Sequence, residues 1–529
     1  MPEKETWDVV IVGGGNNGLS AGAFLSKAGL SCVVLEALGV PGGGATTEEV
    51  TLPGFKHNLH ACFMLVIYEV FRQLQLDRYG CRIYESEGGA WNVYKDGTCF
   101  HMTADLDEMV ANVAKFNKHD AQTWRDLVMY FKDTAPMWNV GILPVRGLVP
   151  SIPFQVLETS VEGRDLLQMI QNSARNVVES LFEDEHIKAS LYTYVNQATE
   201  LPDDVMGTGA LVVLRFAQWG ARTPNAGAGI AVGGTGTIPR AMQRIIEENK
   251  GSVRNNTKVV KIKVDNGLAK SAVTADGTEF IARKAVISGV NHQIALLDLI
   301  GEENLNPRLA AKIKRWRWGE QVLFTPHLAF DEPLVWKCSD QYPEIQTDGW
   351  GVAVYPDPPD SFASEFEDIR AGRVPKDLTY LGAFPTVVDP TQAPPGKSTA
   401  LLWQYVGYEL EGGSQRWDEE KDALCDRMLD LLQDVVKNDL KKAVIGRYVQ
   451  SPMDVVRRNP SMGGASFCHG SMAQDQTGVF RPFHDYEVGR TPFENLYLCG
   501  DWVGCSGAAG RNAAELLLED LKMKRWWLE

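Results

Sequence analysis

WDVVIVGGGNNG at residues 7–18, followed by VVLE at residues 33–36, is the stretch that decides the fold of this 529-residue chain. The apolar run Val9–Val12 predicts a fully buried parallel strand, and the glycines after it follow the spacing G-x-G-x-x-G. Apolar residues then recur at helical spacing over Leu19–Ala28, and a second apolar strand ends in Glu36. Strand, glycine turn, helix, strand and acid in this order predict a βαβ unit that binds a dinucleotide.

The residue types in this unit suit a dinucleotide for separate physical reasons. Gly13 permits the tight turn, Gly15 lets the backbone approach a pyrophosphate, and Gly18 lets the helix pack closely on the strand. The N–H groups at the start of the helix face the phosphates, and Glu36 accepts hydrogen bonds from a ribose. A purely structural carboxylate at position 36 is the alternative. The cofactor-binding residues predicted here are Gly13, Gly15, Asn16, Asn17, Gly18, Glu36 and Ala37.

A second glycine cluster, GVPGGGATT at residues 39–47, favours FAD over NAD as the dinucleotide. FAD is the longer cofactor, and its ribityl chain and ring must pass beside main chain that carries no side-chain obstruction. A surface loop between a strand and a helix is the alternative. The residues of this cluster that are predicted to bind the cofactor are Gly43, Gly44, Ala45 and Thr46.

Residues 251–286 predict a three-stranded meander, which is a second feature typical of FAD-binding proteins. Turns are predicted at Asn266-Gly267 and Asp276-Gly277, because these dipeptides favour hairpins. A helix predicted over Arg240–Glu248 leads into the meander. The three strands are predicted over Val259–Val264, Ser271–Thr274 and Glu279–Ile287. A meander inserted after a dinucleotide-binding βαβ unit is the construction of FAD-specific proteins with two dinucleotide folds.

The sequence NLYLCGDW at residues 495–502, followed by GCSGAAGRNA at 504–513, is the third candidate cofactor segment. A short buried strand ends at Gly500, and Asp501 is positioned to bind ribityl hydroxyls. The small residues after it begin a helix whose N–H groups face the flavin pyrimidine edge. Alone, this pattern is also that of an ordinary strand-to-helix turn, but with the other segments it predicts a split FAD site. The residues predicted to bind are Gly500, Asp501, Gly507, Ala508 and Ala509.

Several longer motifs extend beyond these segments through nearly the whole chain. They are GGGATTEE at 42–49, GGTGTIP at 233–239, DPTQAPPGK at 389–397, NPSMGG at 459–464, LYLCG at 496–500 and GAAGRNA at 507–513. With them the chain resembles the phytoene-desaturase and phytoene-dehydrogenase-like flavoproteins of the amine-oxidase superfamily, in the branch named after pyridine nucleotide-disulfide oxidoreductase domain-containing protein two. The resemblance implies FAD as the cofactor and a main-chain contact of Val259 with its adenine.

The chain departs from that family pattern at two places. Gly44 stands where carotene desaturases usually have an arginine, and the segment 501–506 is shorter than the glycine-rich segment of the branch and contains Trp502. We therefore expect a smaller substrate than a carotene, with an aromatic or cyclic skeleton. Paired redox cysteines and a second dinucleotide fingerprint are absent from the sequence, which favours O₂ or a quinone over NAD(P)⁺ as the electron acceptor.

The predicted fold is α/β: an FAD-binding doubly wound domain of the two-dinucleotide-fold, amine-oxidase-like type, with an inserted α+β substrate domain. The FAD-binding domain is expected over 1–100, 231–300 and 485–529, and the substrate domain over 101–230 and 301–484. Helices of the substrate domain are predicted over Leu106–Phe116, Thr123–Met137, Arg164–Phe182 and Trp417–Val436. Its strands are predicted over Val322–Phe330, Leu378–Phe384 and Thr399–Tyr405.

Composition and charge exclude several other classes of protein. The net charge of −16, from 52 basic and 68 acidic residues, disfavours nucleic acid and anionic membranes as main partners. The nine cysteines are scattered, so we expect buried, reduced thiols and a cytoplasmic protein. No metal is expected, since the nine histidines lack ligand spacing. A peripheral membrane contact or substrate entrance remains an alternative for the apolar stretches Ala61–Tyr68 and Gly141–Phe154.

Catalytic groups carry weaker signals than the cofactor segments. His60, which with His57 follows the second glycine cluster, and Tyr405 and His469 are the candidates for a base that accepts a substrate proton; structural roles are the alternative. The predicted activity is that of an FAD-dependent oxidoreductase, a desaturase or dehydrogenase. It takes a hydride from a C–H of an apolar isoprenoid-like, alicyclic or aromatic molecule at flavin N5 and makes a C=C bond. The alternatives are a flavin amine oxidase, an FAD-dependent isomerase or saturase, and a non-enzymatic flavoprotein.

Overall fold

The computed structural model of the protein describes residues 3–62, 68–85, 88–134, 157–221, 229–501 and 507–528. Its strands are, in chain order, β1 (Lys4–Val12), β2 (Cys32–Leu35), β3 (Thr47–Glu48), β4 (His57–Asn58), β5 (Ile83–Glu85), β6 (Gly88–Tyr94), β7 (Cys99–Thr103), β8 (Gly229–Ala231), β9 (Ser252–Arg254), β10 (Val259–Asp265), β11 (Leu268–Thr274), β12 (Glu279–Ser288), β13 (Val322–Phe330), β14 (Gly351–Tyr355), β15 (Tyr380–Ala383), β16 (Ser398–Val406), β17 (Val444–Gln450) and β18 (Leu496–Leu498).

The α-helices of the described residues are α1 (Asn16–Lys27), α2 (Tyr68–Leu74), α3 (Leu106–Ala114), α4 (Lys118–Thr134), α5 (Val161–Gln171), α6 (Ala174–Leu181), α7 (Glu185–Thr199), α8 (Gly209–Ala221), α9 (Thr237–Glu248), α10 (Pro307–Lys314), α11 (Ile345–Asp348), α12 (Phe362–Arg370), α13 (Trp417–Val435), α14 (Leu440–Ala443), α15 (Pro452–Arg458) and α16 (Ala508–Asp520). A π-helix over Gln293–Gly301 follows β12.

The first large sheet has the strand order β10-β11-β12-β1-β2-β9, and β18 also pairs with β12. The strands β12, β1, β2 and β9 run parallel, because each returns through a helix or a long crossover, whereas β10, β11 and β12 form an antiparallel meander. The strand β12 belongs to both the parallel and the antiparallel part of this sheet. The first residues of β12, Glu279–Ile281, pair with β11, and its last residues, Val286–Ser288, pair with β18.

Helices cover the parallel part of this sheet and bury its apolar strands. Residues Val9–Val12 are at most 3% exposed, as expected for a strand that is packed on both faces. Helix α1 contacts both α9 and α16. A Cβ on Gly22 of α1 would lie 2.9 Å from Ile246 Cδ1 of α9, so this pair of helices packs at a distance that only a small residue allows.

The second large sheet has the order β17-β13-β16-β15-β14-β6-β7. One face packs against α13, whose Leu424, Met428 and Leu432 are at most 1% exposed. The strand β13 has the predicted bounds. The predicted domain boundary at residue 100 places β6 in the FAD-binding domain and cuts β7 after its second residue, whereas both strands belong to this second sheet.

One predicted helix of the substrate domain is two helices in the structure. The pattern over Arg164–Phe182 is interrupted after α5, and α6 begins at Ala174. Ser173 caps α6, because its side-chain oxygen accepts the N–H of Asn176 at 3.2 Å. Apolar spacing continues across this break, so periodicity alone predicts a single helix.

The described cysteines are buried, as predicted. In the described ranges, no helix combines the length and the apolar character that are needed to cross a bilayer. The stretch Gly141–Phe154, most of Ala61–Tyr68, and Trp502 lie outside the described residues.

Candidate functional site

The first glycine turn lies where β1, β2 and β12 end and α1 begins. The Gly13 N–H donates to the Leu35 carbonyl oxygen at 2.9 Å, and Gly13 has a φ of +93°, a conformation that glycine tolerates. A Cβ on Gly18 would lie 2.1 Å from the Gly13 carbonyl oxygen. The Gly289 N–H, at the end of β12, donates to the Val12 carbonyl oxygen at 2.7 Å. Backbone hydrogen bonds to the ends of β2 and β12 therefore fix the turn. The start of α1 packs directly on the main chain of Gly13.

Glu36 directly follows β2 and is 8% exposed. Its Oε2 accepts the N–H of Gly14 and its Oε1 accepts the N–H of Leu38, each at 2.7 Å. Burial raises the pKa of this carboxyl, and the backbone hydrogen bonds oppose that shift. Each carboxylate oxygen keeps a lone pair beyond these bonds, so Glu36 is able to accept ribose hydroxyls.

The predicted adenine contact lies beside this acid. The Thr257 N–H donates to the Glu36 carbonyl oxygen at 2.7 Å, which brings the start of β10 next to the end of β2. Val259, at the first position of β10, is 8% exposed. Ala37 follows Glu36 and is exposed. Two residues that are predicted to contact the cofactor, Ala37 and Val259, therefore lie close to Glu36.

The second glycine loop lies directly on the first. The Gly42 N–H donates to the Gly14 carbonyl oxygen at 2.8 Å. A Cβ on Gly15 would have only one described neighbour within 4 Å, the Gly43 Cα at 4.0 Å, while a Cβ on Gly43 would lie 3.2 Å from the Gly15 Cα. The loop is closed by a hydrogen bond of 3.0 Å from the Ala45 N–H to the Gly42 carbonyl oxygen. The two loops therefore form a cradle lined by main chain, which a single added side chain would fill.

The third segment reaches the first turn through Val290. Val290 Cγ1 would lie 3.0 Å from a Cβ on Gly13, and the Val290 carbonyl oxygen would lie 2.1 Å from a Cβ on Gly500. Asp501, the next residue, is 2% exposed, and its Oδ1 accepts the N–H and Nδ1–H of His292 at 2.9 and 2.6 Å. Burial works against the ionised form, but the His292 partner outweighs it and lowers the pKa of Asp501 below its ordinary value.

Helix α16 begins against the start of α1. Gly507, its N-cap, has a φ of +65°, and a Cβ there would lie 3.2 Å from Ser20 Cβ. A Cβ on Gly510 would lie 1.8 Å from the Asn17 carbonyl oxygen. Ala508 and Ala509, between the two glycines, are half-buried. The N-termini of two helices thus meet at one place, which concentrates backbone N–H groups and positive potential there.

Unpartnered polar atoms lie on all three segments. Among the described residues, the buried atoms without a hydrogen-bond partner include Asn16 Oδ1 and Nδ2, Ser20 Oγ, Thr46 Oγ1 and Asp501 Oδ2. A buried polar group without a partner costs about 1–3 kcal/mol, so such a group of atoms indicates a ligand-binding site. A cradle of bare backbone, two helix N-termini and these polar atoms fit a ligand with phosphates and hydroxyls, as FAD has.

Of the three catalytic candidates, His60 lies next to the second glycine loop. Its Cβ lies 3.9 Å from the position of a Cβ on Gly44, and the side chain is 4% exposed. Burial lowers the pKa of His60 to about 3, with a further effect of Arg458, so the ring is neutral. Neither ring nitrogen has a hydrogen-bond partner within the described ranges. His57, by contrast, is bonded: its Nε2 lies 2.7 Å from Thr51 Oγ1.

Tyr405 belongs to an aromatic group on the second sheet. Its ring centroid lies 6.2 Å from that of Trp403, which in turn lies 5.3 Å from that of Phe467. The Tyr405 hydroxyl donates to the Gln197 carbonyl oxygen at 3.3 Å. Burial, together with Glu200 nearby, raises the pKa of this phenol well above its usual value. The phenol therefore keeps its proton, which is engaged by the end of α7.

His469 lies close to the third cofactor segment, where Arg481 and Asp501 both influence its charge. Burial and then Arg481 lower the pKa of His469 to about 4, so this ring is neutral too. The backbone φ of His469 is +56°, a strained value for a residue other than glycine. The structure thus places His469 by Asp501 and His60 by the second glycine loop.

Two buried ionisable groups of this region were not predicted from the sequence. Glu200 is fully buried, and burial raises its pKa to about 8. Arg481 is also fully buried, and its Nε–H donates to the Asp501 carbonyl oxygen at 2.6 Å. Neither residue stands in a recognisable motif, and both approach the site from segments far away in sequence. Arg481 stands among apolar residues in GVFRPF at 478–483, which is a weak signal, whereas Glu200 stands in the polar stretch NQATELPDD at 196–204 and has none.

Because a second carboxyl, that of Glu365, is also buried, we expect the stability of the folded protein to depend on pH. Burial raises its pKa to about 8, and its Oε2 accepts the Gln404 Nε2–H at 2.8 Å. Between about pH 5 and pH 8 the folded chain keeps a proton that the unfolded chain has released, so the contribution of Glu365 to stability falls as the pH rises. We expect the melting temperature of Glu365→Gln, relative to the wild type, to increase from pH 5 to pH 8. Circular dichroism melts at both pH values measure this difference, and a constant difference contradicts it.

Comparisons with known proteins agree with this geometry. The family model described as flavin containing amine oxidoreductase matches residues 18–518. A limonene dehydrogenase subunit of Castellaniella defragrans is 26% identical over 100% of this chain and 97% of its own length. Pyridine nucleotide-disulfide oxidoreductase domain-containing protein 2 of Mus musculus is 28% identical over 98% and 94%. A lycopene-forming phytoene desaturase of Pseudescherichia vulneris is 23% identical over 97% and 99%.

These findings confirm the predicted resemblance, the α/β fold class with its dinucleotide-binding sheet, and FAD as the cofactor. They also confirm the general kind of activity, that of a flavin-dependent oxidoreductase. Because the family model covers nearly all of the sequence, this chain belongs to the flavin-containing amine oxidoreductase family.

Proposed function

We propose that this protein is an FAD-dependent dehydrogenase that introduces a C=C bond into an apolar alicyclic or isoprenoid-like molecule. The substrate loses one hydride and one proton from neighbouring carbons. FAD, when bound, would supply the acceptor for the hydride, with O₂ or a quinone as the final acceptor of the two electrons. The main support for the proposal is a wall of apolar and aromatic side chains next to the second glycine loop, with the neutral His60 also beside that loop.

We assign the cofactor to the residues that the three segments bring together. The phosphates belong at the N-termini of α1 and α16, because helix N-termini present backbone N–H groups to anions. Glu36 would hold the ribose, Asp501 the ribityl hydroxyls and the main chain of Val259 the adenine. The loop 43–46 leaves bare backbone for the ring system.

The wall is built from β13, β16 and the loop after α15. Leu323, Tyr405 and Met462 form one buried cluster with Trp403 and Phe467 packed against it. Met462 Sδ lies 3.7 Å from the position of a Cβ on Gly44, which joins this wall to the second glycine loop. Carbon-rich side chains of this kind bind an apolar skeleton and exclude water, so hydride transfer takes place in a dry environment.

We propose that His60 accepts the proton that the substrate loses. Loss of a hydride from an alkyl carbon makes the proton on the neighbouring carbon strongly acidic, so a weak base such as a neutral imidazole is sufficient. We expect His60→Ala to lower the rate of anaerobic flavin reduction by about 10²-fold, since general-base catalysis contributes at least that much. Stopped-flow absorbance measures this rate. His57→Asn is the matched control, because His57 is equally buried but bonded to Thr51, and its rate is expected to stay within about threefold. Equal losses in both variants contradict the assignment.

The family match favours amine oxidation as the second candidate function. An amine substrate would reduce the flavin and release hydrogen peroxide on reoxidation by O₂, whereas alicyclic hydrocarbons would not react. An isomerase would leave the mass of its substrate unchanged.

The test of the proposal is anaerobic mixing of the holoenzyme with a panel of alicyclic, isoprenoid and amine compounds. Bleaching of the visible flavin band by a hydrocarbon, together with a product that is two hydrogen atoms lighter, supports dehydrogenation. Bleaching by amines alone supports amine oxidation and contradicts the proposal. A flavin that no compound of the panel reduces favours a non-enzymatic flavoprotein.

A further inference from the structure

Glu200 is held in an unusual position. It directly follows α7 with a φ of +56°, a left-handed conformation that side chains other than glycine rarely adopt, and it is 0% exposed. Both features cost free energy, so strong local contacts have to compensate for them. The structure provides these contacts from one loop, residues 466–470.

Three donors of that loop bind the Glu200 carboxyl. Ser466 Oγ–H donates to Oε2, the Phe467 N–H donates to Oε1 at 2.9 Å, and the Cys468 N–H donates to Oε2 at 3.3 Å. Ser466 Oγ also accepts the Gly470 N–H at 3.0 Å. Glu200 therefore ties the end of a helix of the substrate region to three of the five residues of the loop that carries His469.

The same loop is tied to the third cofactor segment through Arg481. The Arg481 Nη2–H donates to the Cys468 carbonyl oxygen, and its Nε–H donates to the Asp501 carbonyl oxygen at 2.6 Å. The guanidinium carbon lies 5.1 Å from the centre of the Trp316 ring. Arg481 is thus a buried cation whose position depends on the loop on one side and on Asp501 on the other.

We propose that Glu200 is a positioning residue of the redox site, which fixes the loop 466–470 and, through Cys468, the Arg481 guanidinium beside the flavin segment. This inference rests on the proposed placement of the cofactor at Asp501. A fixed positive charge in a buried site favours the added negative charge of a reduced flavin, because little solvent screens it. A negative charge on the Glu200 carboxylate disfavours the added negative charge of a reduced flavin.

The protonation of Glu200 offers a readout that a merely structural role would not change. Burial raises its pKa to about 8, against the hydrogen bonds of the loop and the charge of Arg481. The other titratable or charged groups near it are Arg481 and Tyr405, with Cys468 and His469 in the bound loop and Asp501 on the far side of Arg481. When the flavin takes up electrons, the pKa of Glu200 rises further, so the enzyme binds an extra proton in the pH range above about 8.

The test is a spectroelectrochemical titration of the holoenzyme between about pH 6.5 and pH 9.5, which needs no organic substrate. In the wild type we expect the midpoint potential to fall more steeply above about pH 8, by one extra proton per two electrons. Glu200→Gln loses this extra slope and binds FAD about tenfold more weakly. Ser466→Ala removes a hydrogen bond that lowers the pKa of Glu200, so its extra slope moves to higher pH.

Glu365→Gln is the matched control, because Glu365 is equally buried and has a pKa of about 8 but does not bind the loop. It is expected to keep the wild-type slope and FAD affinity. A folded Glu200→Gln that keeps both as well overturns the inference. If Glu200→Gln does not fold, an unchanged slope in Ser466→Ala overturns it instead. These outcomes are independent of whether any alicyclic compound is dehydrogenated, so they are separate from the test of the proposed function.

Discussion

Gly510→Ala is expected to yield a protein that is purified largely without flavin. A Cβ at position 510 would lie 1.8 Å from the Asn17 carbonyl oxygen and 2.8 Å from the Ala21 N, whereas Cβ contacts essentially never fall below 3.0 Å. Helix α16 therefore has to move away from α1 by about 1.2 Å or more. That movement separates the two helix N-termini that are proposed to bind the phosphates. We expect FAD affinity to fall by at least about tenfold, measured by flavin absorbance per protein and by fluorescence titration.

The substitution is expected to stabilise α16 itself, although it disrupts the contact between α16 and α1. Alanine stabilises a helix interior by about 1 kcal/mol relative to glycine, so α16 itself becomes a better helix. Gly39→Ala is the matched control, since a Cβ there meets Asn256 Oδ1 at an ordinary 3.6 Å. It is expected to keep its flavin. A Gly510→Ala protein with full flavin content contradicts the close helix contact on which the site depends.

Asp501→Ala is expected to weaken both flavin binding and stability. The carboxylate is 2% exposed and accepts two hydrogen bonds from His292, so its removal leaves two buried donors without a partner. Leaving a buried donor without a partner costs about 1–3 kcal/mol of unfolding free energy. Asp501 Oδ2 has no partner among the described residues, and it is the proposed ligand of the ribityl chain. We expect FAD affinity to fall by about 100-fold, measured by fluorescence titration.

Two further variants separate these effects for Asp501. Asp501→Asn keeps an oxygen that accepts the hydrogen bonds of His292, so it is expected to retain more stability than the alanine variant while still binding FAD more weakly. Asp520→Asn changes an acid at the far end of α16 that is paired with Arg490 and 41% exposed in its side chain. Its flavin affinity is expected to equal that of the wild type. Equal flavin affinity of Asp501→Ala and the wild type contradicts the proposed ribityl contact.

The local elements could be predicted from sequence because their signals are local. The run Val9–Val12, the glycine spacing after it and the hairpin turns near Gly267 and Gly277 each depend on a few neighbouring residues. The structure has a strand, a helix and a meander at these places. The break before Ala174 was missed, since a single capping serine outweighs an apolar period that continues through it.

The βαβ unit and FAD as the cofactor could be predicted from sequence, as could three candidate cofactor segments, because backbone conformation and close approach depend on glycine at particular positions. Which side chains meet around these segments depends on the packing of distant parts of the chain. Glu200 and Arg481 come from distant parts of the chain, and their proximity to Asp501 follows from the packing of α7, the loop 466–470 and β18. The pKa values of His60 and Glu200 also depend on the tertiary structure. A pKa is set by burial and by neighbouring charges in space, and the order of residues along the chain specifies neither.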